Sequence, residues 1–496
     1  MKKLLYIIAV TVLSAASYVN AHAQQSNLRT AYFLDGYTYR YRFNPSFAPE
    51  RGFFAIPALG NIGIGAESNL GLSNFYFPTG NGSLNTFIDD AVSDDKFMSG
   101  IKKRNLLNVN SNLNIFALGF WSGESYHTLD MSVKLNTRAN LPKSLFHFAK
   151  VGTAGGNTSW QINDLGIRAD AHAEIAYGYS RSVNENLCVG GRAKFLIGVA
   201  RTEVMIDQLN LTVGRSKWEA SAVGHAELSG PVSIGTKEDS DLVDYGNVVF
   251  YEDVNEIMDG MKNYGFALDL GASYNFLEYF TASLSLLDVG FISWNNTTSA
   301  KAASKPWTFD GFGIIKTDGT TDFGEKFSNF GDQMLDMVQL EKNSDGQKKT
   351  HALSATIHAG IEARVPFYQR LTFGFLATHR FDGPFSWTEA RLSANLAPVN
   401  CISLAASYAA STYGNSVGAV LNFHFPGLNL YLGTDSFLPF TNLATNYIPV
   451  SDLNTNLTLG LNITFGKAHG IYHDMRRAKK AAKKAAKAVA AAADIE

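Results

Sequence analysis

The chain has little charge and no long apolar run. Only 17% of its 496 residues are charged, whereas an average soluble domain carries about 25%. No segment approaches the ~18 consecutive apolar residues that a membrane-spanning helix requires. A chain of this kind that lies in a membrane must therefore form a closed β-barrel, because an open sheet edge cannot face lipid.

Proline and cysteine are also scarce. The 13 prolines stand against 44 glycines, a balance that suits long strands. The two cysteines, Cys188 and Cys401, each follow a predicted turn at the start of a predicted strand. They are compatible with a disulfide in an oxidising compartment or with two unpaired thiols, and their spacing leaves both alternatives open.

Several short motifs of enzyme and metal sites are missing. The chain contains no His-Glu-x-x-His, no Cys-x-x-Cys and no phosphate-binding glycine loop. We therefore predict no enzyme activity, no metal site and no cofactor.

The first residues have the layout of a secretory signal peptide. A positive start at Met1 to Lys3 is followed by an apolar run from Leu4 to about Leu13 and by the small-x-small site Ala21-His22-Ala23. We predict a signal peptide at residues 1–23 and export of the mature chain.

Alternating apolar and polar residues recur along most of the remaining chain. A strand points successive side chains to opposite faces, so such alternation makes one face apolar and the other polar. The clearest case extends from Asn456 to Phe465. Most of these stretches exceed the ~5–6 residues of a typical strand and fit the ~9–11 of a tilted membrane strand. The sequence therefore predicts an all-β fold, a transmembrane antiparallel β-barrel of about 14–16 strands with a polar lumen.

The predicted connections have two lengths. Short turns fall near residues 183–186, 276–278, 366–369, 397–400 and 425–427. Long polar segments fall near residues 69–107, 139–163, 231–262, 294–351 and 435–453. Strands that alternate up and down place the long segments at one end and the tight turns mostly at the other, as in outer-membrane barrels. Aromatic residues near strand ends are expected to form interfacial girdles, namely Trp121, Tyr126, Trp218, Trp294 and Trp387.

Charged side chains on the polar faces are predicted to line the lumen. Antiparallel pairing across the turn at 183–186 brings Glu174 within reach of Arg192 or Lys194. Two interpretations stay open: the charges set ion selectivity in a channel, or they form mixed-sign ion pairs that close the lumen. The predicted lumen-lining set is Arg168, Asp170, His172, Glu174, Arg192, Lys194, Glu362, Arg364, Arg380, Glu389 and Arg391.

Two segments flank the predicted barrel at residues 53–466. Residues 24–52 contain Arg42, Asn44 and Pro45 among aromatics without alternation, so they form either a periplasmic plug for the lumen or an ordinary lead-in. Residues 467–496 are rich in alanine and lysine, which favour a helix. Its basic strip suits an anionic surface such as peptidoglycan, the inner lipid leaflet or an acidic protein, unless the helix is simply solvated. The cations of this basic tail are Arg476, Arg477, Lys479, Lys480, Lys483, Lys484 and Lys487.

Three segments carry a resemblance to a known family. They are Arg42 to Pro49, Ile56 to Asn61 before the first predicted strand, and Phe266 to Ala272 in mid-chain. With these segments the mature chain resembles an uncharacterised family of Bacteroidota outer-membrane barrels, the domain of unknown function 5723. The Asn44-Pro45 element is similar to one in the long-chain fatty-acid transporter family and in type IX secretion barrels. The resemblance implies a barrel in the outer membrane and no particular activity.

Two functions are compatible with these expectations. The first, which we favour, is passive transport of small or amphiphilic solutes across the outer membrane of a Gram-negative bacterium, with residues 24–52 as a hatch. The second is a non-conducting scaffold that binds partners or the cell wall through its loops and basic tail. Both place the two termini in the periplasm and the wall against outer-membrane lipid. Peptidoglycan or another envelope protein is the expected partner of the tail, and export argues against nucleic acid.

Overall fold

A computed structural model describes residues 28–79, 83–152, 159–213, 218–251, 253, 260, 262–277, 279–303, 307–309, 339–436 and 454–469. Within these residues the helices are α1 (Asp94–Gly100) and α2 (Lys143–Val151), and single 3-10 turns lie at Arg29–Ala31, Arg40–Arg42, Leu72–Asn74 and Gly383–Phe385. Neither helix, nor any other helical part of the described chain, has the length and apolar character needed to cross a bilayer.

Strands dominate the described residues. In chain order they are β1 (Gly52–Ala55), β2 (Ile62–Ser68), β3 (Tyr76–Pro78), β4 (Leu84–Thr86), β5 (Arg104–Ser122), β6 (Ser125–Pro142), β7 (Ser159–Ser182), β8 (Leu187–Val213), β9 (Trp218–Ser229), β10 (Val232–Thr236), β11 (Val243–Phe250), β12 (Asn263–Phe276), β13 (Phe280–Ala302), β14 (Trp307–Phe309), β15 (Leu340–Ala352), β16 (Thr356–Arg364), β17 (Leu371–Arg380), β18 (Trp387–Val399), β19 (Ile402–Ser411), β20 (Gly414–Phe425), β21 (Leu428–Thr434) and β22 (Asn454–Phe465).

Fourteen wall strands close an antiparallel barrel, in agreement with the predicted fold. The first wall strand consists of β1 and β2 together, because both pair with β22 on one side and with β5 on the other. In the same way β15 and β16 follow each other along β13. Since the last strand pairs with the first, the wall has no free edge to present to lipid.

The two ends of the barrel differ in their connections. At one end, the short-turn end, the strands are joined by residues 123–124, 183–186, 277–279, 365–370, 400–401 and 426–427, and the wall begins and finishes there. The other end, the long-loop end, carries the connections 69–103, 143–158, 303–339 and 435–453. The predicted sorting by length is thus found, with two tight connections at the long-loop end, 381–386 and 412–413.

The two faces of the wall invert the arrangement of a soluble protein. On β12 the outward side chains of Phe266, Leu268 and Leu270 are 59%, 53% and 57% exposed, whereas the inward Asp269 is 0% exposed. The same inversion holds around the circumference, where exposed apolar side chains include Leu129, Ile175, Leu284, Ile361, Phe375, Leu392, Tyr408, Val417, Leu432 and Leu457. Exposed apolar and buried polar faces on the same strands are those of a barrel with lipid outside.

Some strands continue past the length that a bilayer needs. β7, β8 and β13 have 24, 27 and 23 residues, against the ~9–11 of a membrane strand. The segment 192–214, for which the sequence allowed one strand or two, belongs to the single strand β8 up to Val213. Beyond the wall, β8 and β13 pair with β9, β13 also pairs with β15, and β14 pairs with β9. Together with β7 they enclose an apolar core that includes Trp160, Ile162, Leu209, Leu211 and Leu340. We call this extension the collar.

Three expectations from the sequence need correction or completion. Tyr126, Trp294 and Trp387 are 2%, 1% and 3% exposed, so they do not belong to an interfacial girdle. Tyr126 donates a hydrogen bond to the backbone of Arg51, and Trp121 donates to the carbonyl oxygen of Pro49. Trp218 packs on the apolar core of the collar. The segment Ile56 to Asn61 does not precede the first strand but interrupts it, because Gly52–Ala55 is already part of the wall. Both cysteines are free thiols.

Candidate functional site

Residues 28–51 lie inside the barrel, and we call them the plug. The side chains of Tyr32, Phe33, Tyr37, Tyr39, Tyr41 and Phe43 are at most 3% exposed. They form one apolar cluster with wall residues that include Leu376, Ala405, Val420 and Tyr431. Each aromatic side chain buries on the order of 150–250 Å², so this cluster supplies most of the apolar contact between plug and wall.

The plug follows the length of the lumen. Arg29 lies beside Glu67 and Asp435 at the long-loop end, and the chain joins the wall at Gly52 at the short-turn end. At that second end the backbone N–H of His469 donates to the carbonyl oxygen of Glu50, 2.7 Å away. The two ends of the described chain therefore lie at opposite ends of the lumen.

The element Asn44-Pro45-Ser46 docks the plug on the wall. The Asn44 Nδ2 donates to the carbonyl oxygens of Ala272 and Leu284, at 3.2 and 3.3 Å. Its Oδ1 accepts from the backbone N–H and the hydroxyl of Ser46, at 3.0 and 2.8 Å. Because Asn44 is 0% exposed, each of these bonds replaces water that the buried amide has lost.

Glycines in the wall make room for this element. A Cβ atom on Gly190 of β8 would overlap the carbonyl oxygen of Pro45, and one on Gly271 of β12 would overlap the Asn44 Oδ1. The Cys188 thiol, two residues from Gly190, lies 3.1 Å from the carbonyl oxygen of Ser46. The predicted motif residues Asn44 and Pro45 thus rest directly against β8 and β12.

Asp435, the first residue after β21, holds the opposite end of the plug. Its carboxylate accepts from the backbone N–H groups of Arg29 and Thr30, at 2.9 and 2.7 Å, and from the Thr30 hydroxyl at 2.7 Å. Burial opposes ionisation of Asp435, but the charges of Arg391 and Arg29 outweigh it and hold the pKa of its carboxyl below the usual value. The bond network is therefore intact at neutral pH and is lost only as the pH falls through that lowered pKa.

Further charges surround the same point. Arg29 lies 2.6 Å from Glu67 and 3.3 Å from Glu389. Arg391 lies 2.9 Å from Glu389 and donates to the Thr30 hydroxyl. The predicted residues Glu389 and Arg391 thus belong to a set of wall charges that contacts the plug. We call Glu67, Glu389, Arg391 and Asp435 the latch.

We expect Asp435→Asn to loosen the latch without unfolding the barrel. The amide keeps the size of the carboxylate but removes the charge that three donors share, and a bond to a charged group contributes about 1.5–3 kcal/mol. Backbone amides of residues 29–31 should exchange with deuterium at least about tenfold faster. The control is Asp345→Asn in the collar, where Asp345 pairs with Lys342. Unchanged exchange at 29–31 in Asp435→Asn would show that the latch does not hold the plug.

A second charge network lies midway along the lumen. Arg192 contacts Asp130 at 2.9 Å, Asp269 at 2.8 Å and Glu174 at 3.4 Å. Arg42 of the plug contacts the same Asp130 at 3.1 Å. The predicted neighbours Glu174 and Arg192 do meet here, and a plug residue joins them.

Lysines complete this network. Lys194 lies 2.7 Å from Asp269 and 2.5 Å from Asp288, and Lys134 lies 2.6 Å from Glu174. The network contains four cations (Arg42, Lys134, Arg192, Lys194) and four anions (Asp130, Glu174, Asp269, Asp288). Since the signs balance, the network leaves no net charge to select an ion.

A third network lies toward the long-loop end. Arg168 contacts Glu203 and, at 2.6 Å, Asp382. Arg138 bridges Asp170 at 3.2 Å and Asp382 at 3.1 Å. The pairing continues into the collar, where Glu227 lies 2.6 Å from Lys349.

The remaining predicted lumen residues differ in their surroundings. His172 lies 3.6 Å from Asp170. Arg364 lies 3.9 Å from Asp35, which pairs with Arg40 of the plug. Arg380 and Glu362 face no oppositely charged group within 4 Å among the described residues. The basic tail from Arg476 to Lys487 and the signal peptide lie outside the described residues.

Several residues of these networks escaped the sequence analysis. Asp130, Lys134 and Asp269 share the polar parity of their strands, so the signal was present for them. Asp288 could not be placed, because the pairing of β12 with β13 shifts by one residue after Leu268 and Asp288 has a positive φ of 56°. Asp435 belongs to a loop, where the alternation of polar and apolar residues does not indicate which side chains face the lumen.

One short pattern must be judged by its structural context. Residues 414–418 read Gly-Asn-Ser-Val-Gly and match the Gly-x-Ser-x-Gly pattern of hydrolases. That pattern works on a sharp turn from a strand into a helix. Here Ser416 lies within the antiparallel strand β20, paired with Ala409. The match is therefore not a nucleophile elbow.

The sequence as a whole matches one family model. The model spans residues 45–435 and is described as a family of unknown function, DUF5723. The chain belongs to the DUF5723 family. The resemblance drawn from the sequence is thereby confirmed, and the match begins at Pro45 and ends at the latch residue Asp435.

Solved structures give distant matches to this family member. The toluene transporter TbuX of Ralstonia pickettii is 7% identical, with 89% of this chain and 93% of that chain covered and a TM-score of 0.38. A FadL homologue of Pseudomonas aeruginosa is 9% identical, with 89% and 99% covered and a TM-score of 0.40. The translocator domain of the autotransporter NalP of Neisseria meningitidis is 7% identical, with 85% and 89% covered and a TM-score of 0.31. No curated protein matches in sequence.

Proposed function

We propose that this DUF5723 member is an outer-membrane barrel through which small or amphiphilic solutes pass passively when the plug moves. The observation that carries the proposal is the plug itself. It fills the lumen along residues 28–51, and the contacts that hold it among the described residues are hydrogen bonds, ion pairs and aromatic packing. Such contacts can break and re-form, so the plug can act as a hatch.

Among the described residues, little free space lies between the plug and the wall. Between the plug and the middle network, the cavity lined by Arg42, Asn112, Ser132 and Lys134 has a volume of only about 20 Å³. That is roughly the space of one water molecule. Transport through the barrel therefore depends on displacement of the plug.

A reversible cross-link between plug and wall tests the proposal. Ser46→Cys introduces a second thiol at the residue whose carbonyl oxygen lies 3.1 Å from the Cys188 sulfur. The test uses this variant with Cys401→Ser, so that no other pair can form. In liposomes we expect solute flux when the protein is reduced and a loss of at least about tenfold when it is oxidised, because the disulfide fixes the plug on β8.

The control is the same protein with Cys188→Ser added, which cannot cross-link and should respond to neither oxidant nor reductant. Flux that is equal in the oxidised and reduced states would refute the hatch. Absence of flux in both states would instead favour the second candidate, a closed scaffold.

The scaffold has its own support. The middle network balances four cations against four anions along the adjacent wall strands β6, β7, β8, β12 and β13, and through Asp130 it pairs with Arg42 of the plug. Ion pairs of this kind hold the plug against the wall and so support a closed lumen. On this alternative the loops, the collar and the basic tail bind peptidoglycan or another envelope protein, and removal of residues 467–496 should release the partner.

A further inference from the structure

A groove of uncharged polar side chains lies on the lumen wall where β22, β2 and β5 run side by side. Gly63 of β2 pairs with Thr458 on one side and Asn112 on the other, and Gly65 pairs with Asn456 and Asn110. The two glycines carry no side chain, so the floor is backbone and the rims are amides and a hydroxyl. We call these six residues, Gly63, Gly65, Asn110, Asn112, Asn456 and Thr458, the amide groove.

The amide groove has unused hydrogen-bonding capacity. The Oδ1 atoms of Asn110 and Asn112 and the Oγ1 of Thr458 are buried and have no hydrogen-bond partner. All three side chains are at most 5% exposed. Most buried polar groups are paired, so a cluster of unpaired ones indicates a place for water or a ligand. Asn112 also lines the small cavity beside Arg42 of the plug.

The neighbourhood indicates which ligand chemistry fits. The groove lies between the middle network, whose Lys134 lines the small cavity with Asn112, and the latch end, where Glu67 follows Gly65 on the same face of β2. At the latch end the Asn456 Oδ1 accepts from the backbone N–H of Asp435. The charges on both sides are already paired, Lys134 with Glu174, and Glu67 and Asp435 with Arg29. An ionic ligand would therefore find no opposite charge without breaking an existing pair. An apolar ligand would leave the amides unpaired, at a cost for each buried group. A neutral solute with several hydroxyls can both donate to and accept from amide and hydroxyl groups.

We infer that the amide groove binds neutral, hydroxyl-rich solutes of the size of a sugar once the plug moves aside. This inference rests on the proposed function, because the side chains of the groove are buried in the closed barrel, with Arg42 of the plug beside Asn112, and it names the class of solute that the barrel passes. The groove gives such a solute a weak, polar resting point on the way through the lumen.

Binding and flux are measured separately to test it. Saturation-transfer NMR on the mature protein in detergent reports binding of arabinose, with glycine betaine as a similarly small solute that lacks hydroxyls. The wild type and the Gly190→Val variant, whose plug is expected to be open more often, are both used. We expect arabinose to bind, and to bind more strongly in Gly190→Val. In that background we expect Asn110→Leu with Asn112→Leu to weaken binding by about fivefold or more, since one net hydrogen bond supplies about that ratio.

Matched variants guard against general damage. Asn395→Leu changes a buried lumenal asparagine of β18 by the same substitution and should leave arabinose binding unchanged. Gly65→Val fills the groove while keeping every amide, and it should weaken binding as the double variant does. Heat-modifiable gel mobility confirms that each variant is a folded barrel.

The outcomes separate the two proposals. No arabinose binding in either background, equal binding of glycine betaine, or equal loss in Asn395→Leu would overturn the inference. Cross-link-dependent flux without arabinose binding would leave the hatch in place and remove the groove. Groove-dependent binding without any flux would support the groove and overturn the transport function.

Discussion

Gly190→Val is expected to raise the population of molecules whose plug has left its place in the lumen by about tenfold or more. The backbone of Pro45 lies so close to Gly190 that a Cβ would overlap its carbonyl oxygen, and valine adds two more carbons. Overpacking of this kind costs about 1–3 kcal/mol. The cost destabilises the docking of the element Asn44-Pro45-Ser46, which binds β12 and β13 through Asn44. The wall itself gains, because valine is a better strand residue than glycine.

Limited trypsin digestion measures the effect. In the folded wild type, Arg29 and Arg42 are buried inside the barrel. In Gly190→Val their cleavage should be at least about tenfold faster, since the population of the open state rises with the cost of overpacking.

The neighbouring glycine provides the control. A Cβ on Gly191 would lie 3.6 Å from the Asp269 carbonyl oxygen and 3.7 Å from Leu270, which are ordinary contacts. Gly191→Val therefore makes the same chemical change on the same strand without touching the plug. Equal cleavage of the two variants would mean that the close packing of Pro45 on β8 does not retain the plug.

Arg192→Met is expected to produce the largest loss of stability. Arg192 is 4% exposed and contacts the carboxylates of Asp130, Asp269 and Glu174. Methionine keeps much of the volume but leaves these carboxylates short of positive charge. Breaking a buried pair by removal of one partner costs about 3–5 kcal/mol.

Unfolding in urea, followed by the heat-modifiable shift, measures this loss. Lys342→Met is the comparison, because Lys342 pairs at 2.7 Å with Asp345, whose side chain is 62% exposed. An exposed pair contributes about 0–1 kcal/mol. Adding Asp130→Asn to Arg192→Met should recover part of the loss, because it removes one uncompensated charge. Similar losses for Arg192→Met and Lys342→Met would show that the middle network does not stabilise the barrel.

The wall was predictable because a strand in a barrel has only two faces. Alternation of Phe266, Leu268 and Leu270 with Asp269 needs no knowledge of the neighbours to indicate lipid on one side. The partners of the lumenal charges were only partly predictable. Glu174 and Arg192 are close in sequence, across one turn, and were expected to meet. Asp288 enters the lumen through a shift in register that alternation cannot reveal.

The path of the plug could not be obtained from local pattern at all. Tyr37 to Phe43 alternate aromatic and polar residues as a strand does, yet the structure has a 3-10 turn at Arg40–Arg42 and, among the described residues, no strand before Gly52, so the position of this segment depends on what surrounds it. The glycines at 190 and 271 that receive Asn44 and Pro45 look like any other strand glycines in the sequence. The latch is harder still, because Asp435 stands in a loop and its partners come from the other end of the chain.

The latch also constrains how the molecule is assembled. The bond from the Arg29 backbone to Asp435 joins residues 406 positions apart, and the β1–β22 pairing joins the first wall strand to the last. Contacts of such long range slow folding, because the chain must lose much of its freedom before they form. The plug and the seam between β1 and β22 therefore reach their final contacts only when the last wall strands have formed, so the beginning of the described chain is among the last parts of the molecule to become fixed.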